Sequence, residues 1–324
     1  MKIFSLIAIL ATGIIPIILL TGCDATIQKS TDWMPVTLGL ANDVVNSIGI
    51  IGDSIYVGTT KNVNGRFIDG KISVSTNGGR NWAVGNGLDG VVVTSFVASE
   101  NTIIAGTMSG MFLSTNHGHD WKLSMAGLPA SVSVFSIAEN DNKVFALTDS
   151  GVFVSNNRGV NWATAKQGLP VDYNVGSLLI KGNTLLAGIW NDNGGTLYRS
   201  TNKGVSWTPS TTGLPNNSPI LSTATNGKFI FASAGYGVYI SDDDGVSWSS
   251  SSKGLPSNLM VNSMVVKGDS VYAGTFGNGV YISTNNAGLW TSAGLSNETV
   301  FCLGLNHNAI YAGTSGNGIF MKPF

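Results

Sequence analysis

The sequence predicts an all-β fold, a seven-bladed β-propeller with four antiparallel strands in each blade, from three observations. An octapeptide that ends in tryptophan occurs six times, with successive tryptophans 39, 41, 45, 41 and 42 residues apart. A Gly-Leu pair follows each tryptophan by four to six residues, and a seventh pair, Gly39-Leu40, follows Trp33. The last residues of the chain repeat the first part of the unit and then stop. This period is the length of one four-stranded propeller blade.

The octapeptides share a serine at their first position and a tryptophan at their eighth. They are 75–82 (STNGGRNW), 114–121 (STNHGHDW), 155–162 (SNNRGVNW), 200–207 (STNKGVSW), 241–248 (SDDDGVSW) and 283–290 (STNNAGLW). Six complete units and one divided unit give seven blades. We expect residues 32–324 to form this ring as one domain, because each blade of a closed ring packs against two neighbours.

The divided unit lies at the two ends of the chain. Residues 300–324 supply three strands and stop where the octapeptide should begin, whereas Trp33 ends a unit whose beginning is missing. We therefore expect a strand at Asp32-Trp33 to complete the C-terminal blade and close the ring. Without it, the last strand would expose an unpaired edge.

Within a unit, residues rich in valine, isoleucine and aromatics alternate with turns rich in glycine, asparagine and aspartate. The sixth unit predicts strands at 261–266, 270–275 and 279–283, with a tight turn at 267–269. No segment after residue 22 has helical periodicity. The 42 glycines serve the many turns that such a fold requires.

The charge of the chain gives no sign of a nucleic-acid partner. The net charge is −1, and 17 lysines and arginines in 324 residues do not form a basic stripe. We expect no cofactor, and we expect a monomer.

The N-terminus predicts an envelope protein. Met1-Lys2 and a nearly unbroken apolar run at 3–20 are followed by Leu20-Thr21-Gly22-Cys23, which resembles the lipobox of bacterial lipoproteins. The resemblance implies that residues 1–22 are a signal peptide, that Cys23 carries a diacylglycerol, and that 23–31 form a tether to the membrane. The alternative is an uncleaved membrane helix, because the run is close to the ~20 residues that span a bilayer. The sequence leaves open which membrane, and which side of it, holds the protein.

The octapeptides resemble the Asp box, or BNR repeat, of sialidase-like propellers, whose pattern is Ser-x-Asp-x-Gly-x-x-Trp. The resemblance extends over residues 32–324 and implies a hairpin between the third and fourth strands. Ala287 replaces one glycine, and only Asp243 keeps the aspartate. Asparagine, which also serves as donor and acceptor in turns, stands at the other five positions, Asn77, Asn116, Asn157, Asn202 and Asn285.

Metal sites find little support. Asp242, Asp243 and Asp244 are a weak candidate for calcium, and a solvated loop is the favoured interpretation of this triplet. His117 and His119 lie in one turn without a cysteine or third histidine nearby, so we interpret them as surface residues rather than a zinc site. We assign no metal.

The catalytic parts of sialidases are not all present. In that family three arginines hold the substrate carboxylate. This chain has four arginines, but three of them lie in or beside octapeptides, away from the family's active site: Arg80, Arg158 and Arg199. Only Arg66 is placed to face a ligand, so the three-arginine site cannot be built. A glycosidase with a carboxylate pair remains an alternative. Its candidate acids are Asp69, Asp89, Asp149, Asp172, Asp192 and Glu298.

The loops at the mouth of the channel carry aromatic and polar residues that suit a ligand. Trp190 belongs to no octapeptide and lies in a longer loop of the fourth blade, and a second long loop occupies residues 60–70. The candidate ligand-binding residues are Trp190, Tyr236, Phe276, Tyr173, Arg66, Asp149, Asp192 and Asn278.

These residues predict a lipid-anchored, non-catalytic ring that binds a glycan or a protein. One alternative is a glycoside hydrolase. A second is a scaffold like the propeller that assists photosystem II assembly, which this chain resembles in blade number and repeat. This resemblance implies binding through arginines, and their scarcity here weighs against this alternative.

Overall fold

The computed structural model describes residues 32–40, 44–99, 101–140, 143–170, 174–191 and 194–324. The predicted signal peptide, Cys23 and the tether lie outside these residues. Within them, 28 strands form seven antiparallel sheets of four, and no helix occurs. The prediction of a seven-bladed, all-β propeller is confirmed. None of these described segments is a helix long and apolar enough to cross a membrane.

The strands follow the chain from blade to blade, except that β1 (Met34–Pro35) belongs to the last blade. Blades I to III contain β2 (Val44–Ile51), β3 (Ser54–Val63), β4 (Arg66–Ser75), β5 (Ala83–Val84); β6 (Val93–Ser99), β7 (Thr102–Thr107), β8 (Gly110–Ser114), β9 (Lys122–Leu123); and β10 (Val134–Asn140), β11 (Lys143–Thr148), β12 (Gly151–Ser155), β13 (Ala163–Thr164).

Blades IV to VII follow the same order. They contain β14 (Asn174–Lys181), β15 (Thr184–Asn191), β16 (Gly194–Ser200), β17 (Thr208–Pro209); β18 (Thr223–Thr225), β19 (Ile230–Ala234), β20 (Gly237–Ser241), β21 (Ser249–Ser250); β22 (Val261–Lys267), β23 (Ser270–Thr275), β24 (Val280–Ser283), β25 (Thr291–Gly294); and β26 (Val300–Leu305), β27 (Ala309–Thr314), β28 (Ile319–Pro323), completed by β1.

The ring closes between the two ends of the chain, as predicted, but the hydrogen-bonded residues are Met34 and Pro35 rather than Asp32 and Trp33. Met34 pairs with Met321 and Pro35 with Phe320. The shift has a simple reason, because the fourth strand of every blade begins just after its tryptophan. The Trp33 indole instead reaches blade VI, where its Nε1 donates to the carbonyl of Ala293 at 2.8 Å.

Seven hydrophobic clusters hold the ring together, one at each contact between neighbouring blades. The six octapeptide tryptophans are at most 8% exposed. Several of their indoles also bond to the preceding blade: Trp207 Nε1 donates to Ala165 O at 2.8 Å, and Trp290 Nε1 to Ser251 O at 2.8 Å. Each such tryptophan therefore fastens its own blade to the one before it.

The octapeptide is a self-contained loop. In the fourth copy, the Ser200 hydroxyl donates to Asn202 Oδ1 at 2.9 Å and accepts from the N–H of Gly204 at 3.0 Å, while Asn202 Oδ1 also accepts from the N–H of Ser206. Gly204 has a φ of +81°, and Ala287 keeps this left-handed geometry at +65° in the sixth copy. The asparagines therefore preserve the turn that the sequence predicts.

The Gly-Leu pairs mark the closest approach of one blade to the next. Gly213 has a φ of +87°, and a Cβ at this position would overlap the carbonyl oxygen of Trp248 in the following blade. Only glycine fits such a contact without moving backbone. This explains why one Gly-Leu pair occurs in each blade.

The innermost strands are joined around the ring by serine side chains. Ser47 donates to Val93 O at 2.8 Å, and the N–H of Met264 donates to Ser222 Oγ at 2.9 Å. At the closure Cys302 takes the place of the serine, with its Sγ 3.5 Å from Val45 O. Burial of the sulfur raises the pKa of the Cys302 thiol. The thiol is thus a packing group rather than a nucleophile.

Candidate functional site

The two ends of the ring differ in what they carry. The octapeptide loops and the turns between first and second strands lie at one end, here named the octapeptide face. The loops between second and third strands lie at the other end with the connections from blade to blade, and this end is named the mouth face. A binding function is expected at the mouth face, because its loops vary while the scaffold beneath them repeats.

A buried threonine braces the mouth loop in four blades. Its hydroxyl donates to a glycine carbonyl across the loop, for example from Thr275 to Gly279 at 2.7 Å. The other three are Thr107, Thr148 and Thr314. The next residue is held by its own N–H, as where Phe276 donates to Met260 O at 3.0 Å. The backbone at this position is therefore held at the mouth, with its side chain beside the channel.

Three exposed aromatic residues lie at the mouth ends of consecutive blades. Trp190 is in β15, paired with Gly195, rather than in the loop that the sequence predicts. Trp190 on blade IV is 41% exposed, Tyr236 on blade V is 61% exposed and Phe276 on blade VI is 60% exposed. Asn278 lies beside Phe276 and donates to its carbonyl at 3.2 Å. Four of the sequence-predicted ligand residues thus share one sector of the mouth face, here named the aromatic arc and defined by Trp190, Tyr236 and Phe276.

A cleft of about 380 Å³ runs beside Tyr236. Its lining residues come from the mouth loop and β20 of blade V and from the connections on either side of this blade. They include Pro215, Asn217, Pro219, Tyr236, Tyr239 and Met260. Met260 joins the cleft to Phe276 through the backbone bond described above. The cleft is within the ~300–1,000 Å³ range of binding pockets.

The connection at 215–219 is held against blade IV by two glycines. A Cβ at Gly195 would overlap the carbonyl of Ser218, and one at Gly194 would overlap Asn217. Gly195 pairs directly with Trp190. Trp190 also lies on the same side of β15 as Gly188, whose backbone packs against Ile220. Trp190 therefore projects toward blade V.

A second space lies over the axis of the ring. It measures about 260 Å³ and is lined by Asn46, Phe67, Leu221, Asn262 and Phe301. These residues come from blades I, V, VI and VII, and only the axis is adjacent to both blade I and blade V. We name this space the axial pocket. It lies beneath the long hairpin of β3 and β4, from which Phe67 reaches the ring of Phe301, with 6.0 Å between the ring centroids.

A repeated distortion exposes the lining residues of the axial pocket. At the mouth end of the inner strands the register shifts by one residue, between Val45 and Ser47 in blade I and between Val261 and Ser263 in blade VI. The residue left between them, Asn46 or Asn262, is unpaired in the ladder, as in any β-bulge. A Val-x-Ser pattern recurs at this position of the sequence, and its variable middle residue is the signal from which these lining residues could have been predicted.

Two other predicted residues do not join the aromatic arc. Arg66 lies at the tip of the β3–β4 hairpin in blade I. The Asp149 carboxylate accepts from the N–H of Ser133 at 3.0 Å and from the Ser150 hydroxyl at 3.1 Å, so it holds the connection between blades II and III. Tyr173 and Asp192 lie outside the described residues. Met108, which is 45% exposed at the mouth of blade II, was not predicted.

The candidate acids of a carboxylate pair have protein partners. Asp69 pairs with Lys61 at 2.7 Å, which lowers the pKa of Asp69 through the Lys61 hydrogen bond and charge. Asp89 pairs with Lys71, and Glu298 accepts from Asn317 at 2.8 Å. Asp172 and Asp192 lie outside the described segments. The described acids therefore stabilise loops of the mouth face.

Two carboxylates of the aspartate triplet, those of Asp243 and Asp244, are bound by groups of the protein itself. Asp243 accepts from the Ser241 and Ser247 hydroxyls and from the N–H groups of Val246 and Ser247. Asp244 pairs with Lys181 at 2.6 Å. Across the described part of the chain, no group of three His, Cys, Asp or Glu side chains is arranged to hold a metal ion.

Comparison with known proteins agrees with this architecture. A family model described as the DUF6242 beta propeller domain matches residues 93–228. The chain is a β-propeller. No curated protein matches it by sequence.

Solved propellers resemble the chain over 90% of its length. They include YCF48 from Cyanidioschyzon merolae, with a TM-score of 0.69, 13% identity and 98% of that chain covered. YCF48 bound to D1 peptide has a TM-score of 0.66, 11% identity and 96% coverage. The GH74 xyloglucanase from Xanthomonas campestris has a TM-score of 0.68 and 14% identity, and the propeller corresponds to 53% of that enzyme. At these identities the likeness concerns the fold alone.

Proposed function

We propose that this propeller is a non-catalytic binding protein whose mouth face holds a protein ligand. The observation that carries the proposal is the aromatic arc, three exposed aromatic side chains on consecutive blades beside a preformed cleft. Aromatic anchors on a rigid surface dominate the energy of protein recognition, because they bury a large area at small conformational cost.

The chemistry of the cleft favours a protein over a glycan. Pro215, Pro219 and Met260 give it apolar walls, and Tyr236 and Tyr239 add aromatic surface. Aromatic-lined grooves of this kind receive extended peptide segments, and methionine adapts to side chains of different shapes. The polar side-chain groups of the cleft are Asn217, Ser218 and the two tyrosine hydroxyls, which are few partners for the hydroxyl groups of a sugar ring.

One structural neighbour is known with a peptide. The structure described as YCF48 bound to D1 peptide shows that a propeller of this architecture holds a peptide in that protein. This supports a protein ligand for the present chain and keeps a scaffold role in the assembly of a membrane complex as a form of the same proposal.

Binding to displayed 12-residue peptides, with a glycan array in parallel, tests the proposal. We expect the full chain to select peptides with aromatic and aliphatic residues. Joint substitution of Trp190, Tyr236 and Phe276 by alanine should weaken that binding at least tenfold, since each is an interface anchor. Joint substitution of Val160, Val205 and Val246 by alanine is the matched control, because these are exposed apolar residues of consecutive blades on the octapeptide face.

Each arm has an outcome that contradicts the proposal. Peptide binding that survives the triple mouth substitution would show that the site is elsewhere. Selection of glycans instead of peptides would show that the ligand is a carbohydrate. If the chain binds neither peptides nor glycans, the proposed binding function is wrong. Sugar released from the array would show a glycoside hydrolase, the alternative that the xyloglucanase fold and the mouth acids keep open.

We also propose that Cys23 is lipidated and holds the ring at a bacterial membrane, within the cell envelope. The lipobox-like Leu20-Thr21-Gly22-Cys23 supports this. Mass spectrometry of the N-terminal peptide should show a cysteine with diacylglycerol and no residues 1–22. Cys23→Ser is the control. An unmodified Cys23 preceded by an intact apolar run would support the membrane-helix alternative.

The octapeptides are best assigned to the Asp-box class of sialidase-like propellers. The hydrogen bonds of Ser200 and Asn202, repeated in the other copies, support this assignment, since they give each conserved position a role within the loop.

A further inference from the structure

The axial pocket is separate from the cleft beside the aromatic arc, and its polar lining side chains are two amides, Asn46 and Asn262. Asn262 Nδ2 donates to Val300 O at 3.0 Å, and Asn46 Nδ2 donates to Thr60 Oγ1 at 2.9 Å. One N–H of each amide is thus engaged in holding the bulges. Among the described residues no donor reaches Oδ1 of either asparagine, so two acceptor oxygens are left to a ligand.

The apolar part of the pocket adds aromatic surface. Phe67 and Phe301 meet edge to face, with an angle of 86° between their planes, and Phe67 remains 44% exposed. Ring faces carry negative potential and attract cations within about 6 Å of the centroid. Leu221 completes the wall opposite the hairpin.

Charged side chains near the pocket point elsewhere or are paired. Arg66 and Ile68 neighbour Phe67 along β4, so their side chains project from the opposite side of the hairpin. Lys61 is bound to Asp69. The lining residues themselves carry no charge. A carboxylate or phosphate would therefore find no positive charge in this lining, whereas an ammonium or guanidinium group would find two acceptors and aromatic faces.

We propose that the axial pocket binds a lysine or arginine side chain of the protein ligand. The inference rests on the proposed function for its biological meaning, but the pocket itself is a property of the ring. Its volume is below that of sites for drug-sized ligands and suits one side chain. The stem packs against Leu221 and the phenylalanines, and the charged head donates to the Oδ1 atoms of Asn46 and Asn262.

Single-residue probes test the pocket without any knowledge of the natural ligand. We expect N-acetyl-lysine N-methylamide, observed by saturation-transfer NMR with the full chain, to bind about tenfold more tightly than the norleucine analogue. The glutamate analogue should bind more weakly than norleucine. Equal binding of lysine and norleucine, or no binding of the lysine probe, would overturn the proposal.

Substitutions in the pocket test where the probe binds, and one of them also tests whether a loss of binding results from misfolding. Phe67→Leu and Asn262→Leu should abolish the preference for lysine, whereas Tyr236→Ala in the separate cleft should leave it unchanged. Asn262→Asp should increase the preference, a gain that a misfolded ring cannot produce. A preference that survives Asn262→Leu and does not rise in Asn262→Asp would overturn the assignment.

The two proposals can fail separately. If peptide selection depends on the aromatic arc but the probes show no lysine preference, only the proposal for the axial pocket is contradicted. If the chain selects no displayed peptide but binds the lysine probe in a way that depends on Asn262, the protein-binding function is contradicted. The axial pocket is then a site for a small cationic ligand.

Discussion

Tryptophan has two roles in this ring, and the position of the indole decides between them. Trp207 is 3% exposed, packs between blades III and IV, and donates to Ala165 O, whereas Trp190 is 41% exposed at the mouth. Removing a buried aromatic side chain leaves a cavity that its surroundings fill only in part. The stability of the ring should therefore respond differently to the two positions.

We expect Trp207→Ala to lower the free energy of unfolding by ~3–5 kcal/mol. Trp190→Ala is the matched control, and we expect it to change stability by less than ~1 kcal/mol, as is usual for exposed positions. Urea unfolding followed by circular dichroism measures both. Similar losses for the two variants would contradict the division into structural and ligand-facing tryptophans.

At the scale of the element, the fifth octapeptide loop makes stability depend on pH. Burial acts to raise the pKa of Asp243, but hydrogen bonds from Ser247, Ser241 and Val246 outweigh it and lower that pKa from 3.8 to about 2. Because the pKa is lower in the folded state, the carboxylate stabilises the fold above about pH 4. That contribution is lost as the pH falls through about 2.

Asp243→Asn should remove this dependence while keeping the loop. The fourth octapeptide shows how, since Asn202 Nδ2 donates to the hydroxyl of Ser206 at 2.8 Å. We expect the variant to be less stable than the native chain by about 1 kcal/mol at pH 7, a value reduced for the exposure of the loop. Most of this difference should be lost at pH 2, where about half of the folded-state carboxylates are protonated. Urea unfolding at the two pH values provides the comparison. A difference that stays constant with pH would contradict the role of the carboxylate.

The octapeptide loops could be predicted from sequence because their bonds join residues at most four positions apart, as from Ser200 to Gly204. The mouth could be predicted only in part. Trp190 is visible as an exception to the repeat, but the cleft beside it depends on how the 215–219 connection packs against Gly194 and Gly195. The axial pocket depends on a one-residue bulge in strands whose composition is ordinary, which alternation of apolar residues does not reveal.

For the whole molecule, closure determines whether seven similar blades form one stable body. Stability in a repeat array is shared between neighbouring units, so an open end weakens the unit beside it. Here residues 33–36 act on three blades: β1 pairs with β28 in blade VII, Trp33 bonds to Ala293 in blade VI, and Val36 O accepts from Trp82 Nε1 in blade I.

A chain that begins at Leu38 should therefore lose more than its short deletion suggests. We expect its free energy of unfolding to fall by at least ~3 kcal/mol, on the scale of a lost aromatic contact, and the bare edge of β28 to pair with other molecules. Calorimetry and light scattering after size exclusion measure the two effects. A chain that begins at Thr31 keeps every contact of residues 33–36 and is the control. If both chains melt together as monomers, the blades hold the ring through their lateral contacts alone, and the divided blade is a consequence of where the chain starts rather than a lock.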